Sequence, residues 1–600
     1  MLQQLRLQAD GQTGQLEELW ADVGPSSAWR GGDGEDWERG PYYVDGLLPL
    51  AHLLQDEQLL AKAADWVNAI LASQRSDGQF GPEPNDDWWP RMVALKVLTQ
   101  HADATSDVRV EPFLEHYFRF QLAHLPQRPL AGWARARGAD NALSVLWFHE
   151  RTGGDWLLQL AELLLRQTFH WATFLTHELP SRPVTSFSHR THGVNVAMGL
   201  KAPAAAYLVD GGDHHAGEVR AMFASLEEQH GLVHGTFSGD EWLGGREPHH
   251  GVETCQVVEL MFTLEQLARV FGSGSFGDRL EQVAFNLLAA ANDASMTSHQ
   301  YHQQANQVLV SVAQRDWTFS GDDANIFGHE PHYGCCTANL HQGWPKLARS
   351  LWMQDTQDAL TVVAYAPCTV DAVVDGHAVS LLIDTDYPFD ELVRVVVDPG
   401  TAPELTLRLR VPEWCEATRL EVAGEPWDCP RPVDGYITIR RSWRPGDEVV
   451  LTLPMTLRTV PRDRGAVGLR LGPLVMALAV GEVWRPLPGS SGLGDWEVTP
   501  RTWWNLGLWL GSPGGPPAWQ VERRRPSDRP FSGTAAPVIV HAAGVPLKEW
   551  TMTGHSAGPP PNSPVESTLP VQPVKLLPYG CARLRVSELP VAVPTAKEWM

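Results

Sequence analysis

Cysteine is scarce in this sequence, and long apolar runs are missing from it. Seven cysteines in 600 residues, an odd number at scattered positions, do not form the pattern of a secreted disulfide framework. The first ten residues contain no apolar run of about seven residues and no small-residue cleavage site, so we expect no signal peptide. No stretch approaches the roughly 18 apolar residues of a membrane span. We therefore expect a cytoplasmic protein without a membrane partner.

Basic residues are also in short supply. The chain has 47 Lys and Arg against 71 Asp and Glu, a formal net charge of -24. Nucleic acid would be repelled over most of such a surface, so the expected partner is neutral or small. Tyrosine occurs 10 times but tryptophan 25 times. Indole rings suit the C–H faces and hydroxyls of sugars, although core packing is their commoner role.

From about residue 40 to 355 the sequence predicts paired helices. Apolar residues recur at intervals of three and four, as in Val257, Leu260, Met261 and Leu264. Helical hairpins that recur in this way indicate either a closed ring or a solenoid. The predicted segments are 47–54 with 59–71, 89–100 with 110–122, 141–149 with 156–169, 194–208 with 214–229, 253–270 with 277–291, and a last long helix over about 337–352.

The loops between the pairs favour the closed ring. Segments rich in Gly, Trp and polar residues precede the first helix of most pairs, and in antiparallel hairpins they emerge at one end. A ring would gather them around one mouth, whereas a solenoid would string them along an edge. About six pairs match an (α/α)6 barrel, which we expect for residues 1–355. The segments are 32–37, 81–89, 191–195, 249–253 and 332–336.

Beyond residue 356 the pattern changes to short β-rich runs separated by Pro, Gly and Asp. Turn signals at this spacing are typical of a β-sandwich. We expect a β-sandwich domain over 356–460 and a further β-rich domain over 461–600. The predicted fold class is thus a multidomain protein, with an all-α barrel followed by all-β sandwich domains.

Two cysteine-containing segments predict a metal site. Adjacent cysteines such as Cys335 and Cys336 cannot bond each other without distorting the peptide between them, so the pair indicates a metal site or a reactive thiol. Glu253 and Cys255 begin another helix at the same expected mouth. Three thiolates and a carboxylate form a tetrahedral Zn²⁺ set. The competing interpretation is that Cys255 is a core residue and the Cys-Cys pair is chance.

Other polar and aromatic residues are candidates for substrate binding. Trp88, in an Asp-Asp-Trp-Trp segment, could form a sugar platform, but an Asp helix cap with a Trp staple explains the segment equally well. Residues 300–307 are unusually rich in hydrogen-bonding groups for a core, and from them we select His302, Gln304 and Asn306. An acidic run that includes Glu38 could line the mouth, although a solvated charge run is the commoner meaning.

Several segments together resemble the β-L-arabinofuranosidase family of glycoside hydrolases, family 127, with family 146 as a relative. The combination of Glu-x-Cys with Cys-Cys-x-x-Asn is specific, and the others support it. The resemblance covers the helical region and, in outline, the β region. The segments are Glu253-Thr254-Cys255, Cys335-Cys336-x-x-Asn339, Gly239-Asp240-Glu241, Trp88-Trp89-Pro90-Arg91-Met92, His192-Gly193-Val194-Asn195-Val196-Ala197 and Asn306-Gln307-Val308-Leu309.

The resemblance implies roles for individual residues. Glu253, Cys255, Cys335 and Cys336 match a Cys3Glu zinc site, and Cys335 also matches the nucleophile. Glu241 matches the general acid/base and His192 a substrate-contacting histidine. In the family this glutamate directly follows glycine, whereas here an aspartate is inserted, so Asp240 is an alternative to Glu241. Thr337-Ala338 also stands where characterised members tend to have two prolines, which puts the sugar in question more than the chemistry.

The implied activity is retaining hydrolysis of a glycoside. A thiol is mostly protonated at neutral pH, and zinc coordination removes that proton. Cys335 would attack to form a thioglycosyl-enzyme while a carboxyl group protonates the departing oxygen. The expected substrate carries non-reducing-end β-L-arabinofuranose or a related sugar. The alternatives are a non-catalytic carbohydrate-binding protein with a structural zinc, or a lyase or epimerase on the same barrel; a homodimer remains open.

Overall fold

The computed structural model describes residues 1–489, 494–512 and 517–595, and its first part is helical. Residues 596–600 of the predicted C-terminal domain lie outside the described residues. Among the described residues, no helix is both long and apolar enough to cross a membrane. The α-helices are α1 Leu2–Gln8, α2 Gly14–Leu19, α3 Arg39–Leu54, α4 Glu57–Ala72, α5 Trp88–Thr105, α6 Val110–His124, α7 Gly132–Thr152, α8 Asp155–Gln167, α9 Trp171–Thr173, α10 Gly193–Gly199, α11 Ala202–Asp210, α12 His214–His230, α13 Thr254–Phe271, α14 Gly274–Gln282, α15 Ala289–Ala291, α16 Gly334–Asn339 and α17 Gly343–Arg349.

Six of the helical segments close a ring. Helix α3 contacts α5, α5 contacts α7, α7 contacts α10, α10 contacts α13, and α13 contacts α16 and α17, which return to α3. Helices α4, α6, α8, α12 and α14 lie outside this ring against their neighbours in sequence. The predicted (α/α)6 barrel is therefore confirmed.

Burial distinguishes the inner helices from the outer ones. Inner helix α5 is buried on nearly every side, including its polar residues Arg91 and Lys96. Outer helix α8 buries a single stripe at intervals of three and four, formed by Leu157, Leu160, Ala161 and Leu164. A single apolar stripe is what a helix needs when its other face meets water, whereas an inner helix is covered all round.

The last inner helix begins earlier than predicted and is interrupted. Helix α16 starts at Gly334 rather than near residue 337, and a 3-10 turn over Leu340–Gln342 separates it from α17. Pro345 has no N–H to donate to the carbonyl of His341, which weakens the helix at this point. The side-chain amide of Gln8 donates to that carbonyl instead, at 2.8 Å. The earlier start places both adjacent cysteines within the first turn.

A β-sandwich follows the barrel, as predicted. A four-stranded sheet has the order β11-β8-β4-β3 and a six-stranded sheet the order β10-β9-β12-β7-β6-β5. Burial alternates along strands such as β7, which indicates one covered face. The strands are β3 Trp352–Gln354, β4 Leu360–Val362, β5 Cys368–Val374, β6 His377–Thr385, β7 Leu392–Asp398, β8 Leu405–Arg410, β9 Arg419–Val422, β10 Glu425–Pro426, β11 Tyr436–Arg441 and β12 Asp447–Thr452; β1 Gly251–Glu253 and β2 His302–Gln304 lie within the barrel region.

The C-terminal part is organised around one eight-stranded sheet, in which β13-β14-β15-β24-β20-β18 are consecutive and β19 and β25 pair with β20 and β15. Three small two-stranded sheets accompany it: β16·β17, β21·β22 and β23·β26. The strands are β13 Leu457–Pro461, β14 Val467–Leu471, β15 Leu474–Ala479, β16 Glu482–Pro486, β17 Trp496–Pro500, β18 Leu506–Trp509, β19 Trp519–Arg523, β20 Val538–Pro546, β21 Met552–Thr553, β22 Ser556–Ala557, β23 Val565–Ser567, β24 Gln572–Pro578, β25 Arg585–Val586 and β26 Ala592–Pro594.

A buried ion cluster joins the barrel to the sandwich. The guanidinium of Arg410, on β8, is fully buried and pairs with Asp278 and Glu281 of α14. The hydroxyl of Tyr387 and the main-chain N–H of Tyr365 donate to the same Glu281 carboxylate. Burial raises the pKa of Glu281 and the positive charge of Arg410 opposes that rise. Arg410 is therefore the cation that offsets the cost of burying the two carboxylates.

Replacement of Arg410 should test this joint. Arg410→Met leaves two buried carboxylates without a counter-charge, which should lower the free energy of unfolding by about 3–5 kcal/mol in urea titrations. The deficit should shrink as pH falls, because the carboxyls can then be buried in protonated form. Arg440→Met, which breaks the exposed pair with Glu404 on the same sandwich, is the control and should change little. Equal effects of the two substitutions would contradict the assignment.

Candidate active site

The first turns of the six inner helical segments lie at one mouth of the barrel. Residues at these turns, or directly before them, contact one another around the ring. Since each helix begins there, unpaired main-chain N–H groups and the positive ends of the helix dipoles converge on this mouth. The contacts are Glu38 with Trp89, Glu38 with Arg137, Arg137 with Asn195, His192 with Glu253, and Glu253 with Cys335.

Four predicted metal ligands meet at this mouth. Glu253 ends β1, which pairs with β2, and is the N-cap of α13. Cys255 lies in the first turn of α13, and Cys335 and Cys336 lie in the first turn of α16. One ligand atom from each of the four residues lies within 4.8 Å of all the others. Two neighbouring helix starts thus bring together residues that are eighty positions apart in the chain.

The geometry of this cluster fits a tetrahedral metal ion. The Cys336 and Cys335 sulfurs lie 3.6 Å and 3.8 Å from Oε1 of Glu253. A tetrahedron with zinc bonds of about 2.3 Å to sulfur and 2.1 Å to oxygen has sulfur–oxygen edges of about 3.6 Å. The second oxygen of Glu253, Oε2, is buried and has no hydrogen-bond partner among the residues that the structure describes. A cation would compensate this cost, so the donor set fits a thiolate-preferring ion such as Zn²⁺.

The three thiols are not equivalent. Burial raises the pKa of Cys255 and of Cys336 well above the usual range. Hydrogen bonds from these two thiols lower the pKa of Cys335 well below its usual range. Cys335 is also only half-buried, whereas the other two are buried. Cys335 is therefore the sulfur that is both easiest to ionise and accessible from the mouth.

A second cluster shares Glu253 with the first. Nε2 of His192 lies 3.3 Å from Glu241 and 3.9 Å from Glu253. Glu241 also accepts hydrogen bonds from the hydroxyls of Tyr301 and Ser320. Burial raises the pKa of Glu241, but the hydrogen bond and charge of His192, with His302 and Tyr301, outweigh it and lower the pKa to about 2. The carboxyl is held ionised beside an imidazole from which it can receive a proton.

Asp240 occupies a different environment from its neighbour Glu241. Its carboxylate lies 2.6 Å from Nδ1 of His250 and also accepts the main-chain N–H of Gly251. Glu241 has a φ of 75°, in the left-handed region that a residue with a side chain adopts at a cost. This turn aims two consecutive carboxylates in different directions. Only Glu241 joins the cluster with His192 and Glu253.

The acidic run before α3 contributes Glu38 to the mouth, which is one of the two roles that the sequence allowed for it. Glu38 accepts the indole N–H of Trp89 and pairs with Arg137 at 3.3 Å. Burial is the main cause of its raised pKa; Arg137 opposes the rise and the charge of Cys335 adds to it. Glu38 therefore lies close to Cys335 and is not part of a solvated charge run. In the sequence, the adjacent tryptophans Trp88 and Trp89 also pointed to this part of the mouth, because Trp89 contacts Glu38.

Aromatic rings follow the rim of the mouth. Ring centroids connect Trp133 to Phe187 at 5.7 Å, Phe187 to Trp242 at 6.1 Å and Trp242 to Phe319 at 5.3 Å. Phe187 is 50% exposed and Phe319 is 65% exposed. Isolated phenylalanines in loops carry no sequence pattern, which is why these two were not found. Exposed rings beside buried carboxylates are suited to the C–H faces of a sugar.

Of the five predicted substrate-binding residues, His192 contacts Glu241 and Glu253, and the structure separates the other four. His302 pairs with Glu253 across β1 and β2, and neither ring nitrogen has a hydrogen-bond partner within the described part of the chain. Gln304 donates to the carbonyl of His249 and to Ser556. His302 is therefore at the cluster, whereas Gln304 holds two loops together.

Asn306 and Trp88, both predicted to bind substrate, form hydrogen bonds with the main chain. The Asn306 oxygen accepts the main-chain N–H groups of Ser587 and Glu588, and its amide donates to the Glu588 carbonyl. Asn306 therefore supplies hydrogen-bond partners to buried main-chain groups of a C-terminal segment. Trp88 is 3% exposed and donates to the carbonyl of Arg128. The Asp87 carboxylate caps α5 through the N–H of Trp89, as the alternative helix-cap interpretation predicted.

Comparisons with known proteins agree with this arrangement. Residues 12–349 match the family description of the β-L-arabinofuranosidase GH127 catalytic domain, and residues 359–455 match that of the GH127 middle domain. None of the curated proteins matches the chain.

Solved structures share the fold over nearly the whole chain. A GH127 β-L-arabinofuranosidase from Geobacillus stearothermophilus T6, Ara127N-Se, is 19% identical with a TM-score of 0.71, covering 98% of this chain and 97% of its own. A structure described as a GH127 β-arabinofuranosidase is 15% identical with a TM-score of 0.69, covering 98% and 95%. Since the catalytic-domain match spans more than half of the chain, this protein belongs to the GH127 β-L-arabinofuranosidase family and is a glycoside hydrolase.

Proposed function

We propose that the protein is a retaining β-L-arabinofuranosidase in which Cys335 is the nucleophile and Glu241 the general acid/base. The observation that carries the proposal is the position of Glu253, which belongs both to the three-cysteine cluster and to the His192–Glu241 cluster. A thiol and a carboxyl group are thereby held on adjoining walls of one mouth. Retaining hydrolysis needs this pair, a nucleophile and a proton donor that flank the same glycosidic bond.

The first step would form a bond between Cys335 and the sugar. The sulfur attacks the anomeric carbon, the bond from that carbon to the departing oxygen breaks, and Glu241 supplies the proton that the oxygen takes up. Nε2 of His192 lies 3.3 Å from the Glu241 carboxylate and helps to position it. Hydrogen bonds from Tyr301 and Ser320 fix the orientation of the carboxylate during this transfer.

The second step would release the sugar with its configuration retained. Glu241, now ionised, takes a proton from a water molecule that attacks the anomeric carbon, and the carbon–sulfur bond breaks. The pKa of Glu241, lowered to about 2, means that the carboxyl is ionised in the free enzyme, which is the form needed in this step. The thiol–carboxyl pair argues against the lyase, epimerase and non-catalytic alternatives, because none of them requires a nucleophilic sulfur facing an acid/base.

Glu253, Cys255, Cys335 and Cys336 would hold a zinc ion. When bound, Zn²⁺ would keep the coordinated thiols in the thiolate form near neutral pH. The charged groups of the chain then have separate tasks: Glu253 completes the ligand set, and Arg137, whose charge acts on both Glu38 and Cys255, offsets part of the negative charge. Glu38 and Arg137 together offer an acceptor and donors for sugar hydroxyls beside Cys335.

Metal content tests the ligand set. The purified protein should contain about one zinc per chain, and Cys255→Ser should lose most of it, because a hydroxyl is a far weaker zinc ligand than a thiolate. Cys429→Ser, which changes a half-buried thiol of the β-sandwich, should retain the metal. Elemental analysis by mass spectrometry measures both. An unchanged zinc content in Cys255→Ser would refute the proposed ligand set.

The nucleophile is tested by Cys335→Ser. This variant should hydrolyse an aryl β-L-arabinofuranoside about 1,000-fold more slowly or worse, while its unfolding transition stays close to that of the parent. In the parent, a slow substrate should leave one pentose residue attached to the peptide that contains Cys335, detectable by peptide mass analysis. Full activity of Cys335→Ser would show that Cys335 is not the nucleophile.

The acid/base is tested by comparing leaving groups. Glu241→Gln should lose much more activity toward alkyl or sugar leaving groups than toward a nitrophenyl group, since the latter departs without a proton. Added azide should restore turnover of the nitrophenyl substrate. Asp240→Asn disturbs the contacts to His250 and Gly251, so it should lower both rates by similar factors. If the loss of activity depended on the leaving group in Asp240→Asn and not in Glu241→Gln, Asp240 would be the general acid/base.

A further inference from the structure

A large cavity, distinct from the barrel mouth, lies between the C-terminal sheet and the loop after α15. Its volume is about 1180 Å³, and none of the residues placed at the barrel mouth lines it. One wall comes from the loop that contains Asp293 and Ser298, and the others come from β15, the β16·β17 hairpin, and β24. The cavity is therefore built by the junction of the two parts of the chain and is separate from the proposed active site.

Three tryptophans line this cavity. Trp484 and Trp496 lie on the β16·β17 hairpin with ring centroids 6.3 Å apart, and Trp503 follows the hairpin. The indole of Trp503 is 60% exposed, and its N–H has no hydrogen-bond partner in the described ranges. An exposed indole with a free donor is not explained by core packing. It offers an apolar face to the C–H groups of a sugar ring and a donor to a hydroxyl.

Basic residues outnumber acidic ones in the lining of the cavity, four to two. Arg501 and Lys575 are exposed and form no ion pair with any residue that the structure describes. The other two basic residues are Arg524, which pairs with Glu522, and the buried Arg583. The acidic residues are Glu482, which accepts the main-chain N–H of Arg583 at 2.6 Å, and Asp293, which accepts the N–H of Ser298 at 2.8 Å. In a chain with a net charge of -24, two unpaired cations beside three indoles form an unusual local environment.

We propose that this cavity binds a short oligosaccharide that contains uronic acid residues. The indoles would stack on the pyranose rings, and Arg501 and Lys575 would pair with the ring carboxylates, for which a guanidinium offers two parallel hydrogen bonds. The ligand is expected to be short, because the charge of the whole chain repels a long polyanion. The proposal is independent of the reaction assigned to Cys335, so each can fail without the other.

The cavity wall is joined to the segment that leads to the active site. Trp496 and Phe327 exchange two main-chain hydrogen bonds, at 2.7 Å and 3.2 Å. Val310 donates to the carbonyl of Val498 at 3.0 Å. The segment that receives these contacts continues into Tyr333 and Cys335. The hairpin that carries two of the cavity's tryptophans is thus hydrogen-bonded to the segment that precedes α16.

Calorimetric titration of the full-length protein with trigalacturonic acid tests the proposal. The acid should bind, its fully methyl-esterified form should bind about tenfold or more weakly because it lacks the charges, and added salt should weaken only the former. Trp503→Ala and the double variant Arg501→Gln with Lys575→Gln should each weaken binding of the acid by about tenfold or more. Hydrolysis of an aryl β-L-arabinofuranoside should remain unchanged in all of these variants.

Matched variants control for nonspecific effects. Trp427→Ala removes another partly exposed indole, and Arg6→Gln removes a cation elsewhere on the surface, so neither should alter binding. No binding of the acid, or equal binding of the acid and its ester, would overturn the proposal. So would a sedimentation experiment in which the parent is a dimer and Trp503→Ala is a monomer, since a second copy of the chain would then occupy the cavity.

Discussion

The convergence of six helix starts at one mouth is the constraint on which the site depends. Each inner helix brings unpaired N–H groups and the positive end of its dipole to that mouth, where negative groups are stabilised. The chain places Glu38, Glu241, Glu253 and three cysteines there. In an environment without these dipoles, so many acidic groups in close contact would repel one another. The barrel topology therefore lowers the electrostatic cost of placing several thiolates and carboxylates at one site.

Behind the cysteines the sign of the charge reverses. Glu259 accepts hydrogen bonds from Asn339 and Gln342, which follow the cysteines on the last inner segment. Three lysine ammonium groups surround the ring of Phe262 in the barrel interior, at 4.4 to 5.3 Å from its centroid. The three ammonium groups overcome the effect of burial and lower the pKa of Glu259 to about 2. A buried network of opposite charges thus fixes the helix that presents Cys335. The lysines are Lys96, Lys201 and Lys346.

The β region contributes to the site by ordering a long loop. Residues 292–333 contain little regular structure, and their polar groups need partners when they are buried. Gln307 donates to the carbonyl of Arg583, and Arg585 donates to the carbonyl of Gln304. The C-terminal strands therefore supply hydrogen bonds that secondary structure would otherwise provide. Tyr301 and His302, held in this way, reach Glu241 and Glu253.

The sequence alone indicated the paired helices and the β-rich remainder, because apolar periodicity is a local property. It offered Glu253 and the three cysteines as a candidate metal set, and the tertiary structure shows that these residues from two distant segments lie together. Only the tertiary structure separated Glu241 from Asp240, since one backbone angle at Glu241 sends adjacent carboxylates in different directions. It also shows that Glu38 contacts Arg137 and Trp89 at the mouth, whereas Trp88 and Asn306 donate hydrogen bonds to main-chain carbonyls. A polar residue that binds a ligand and one that satisfies buried main-chain groups look alike in a sequence, because what distinguishes them is the partner that the fold supplies.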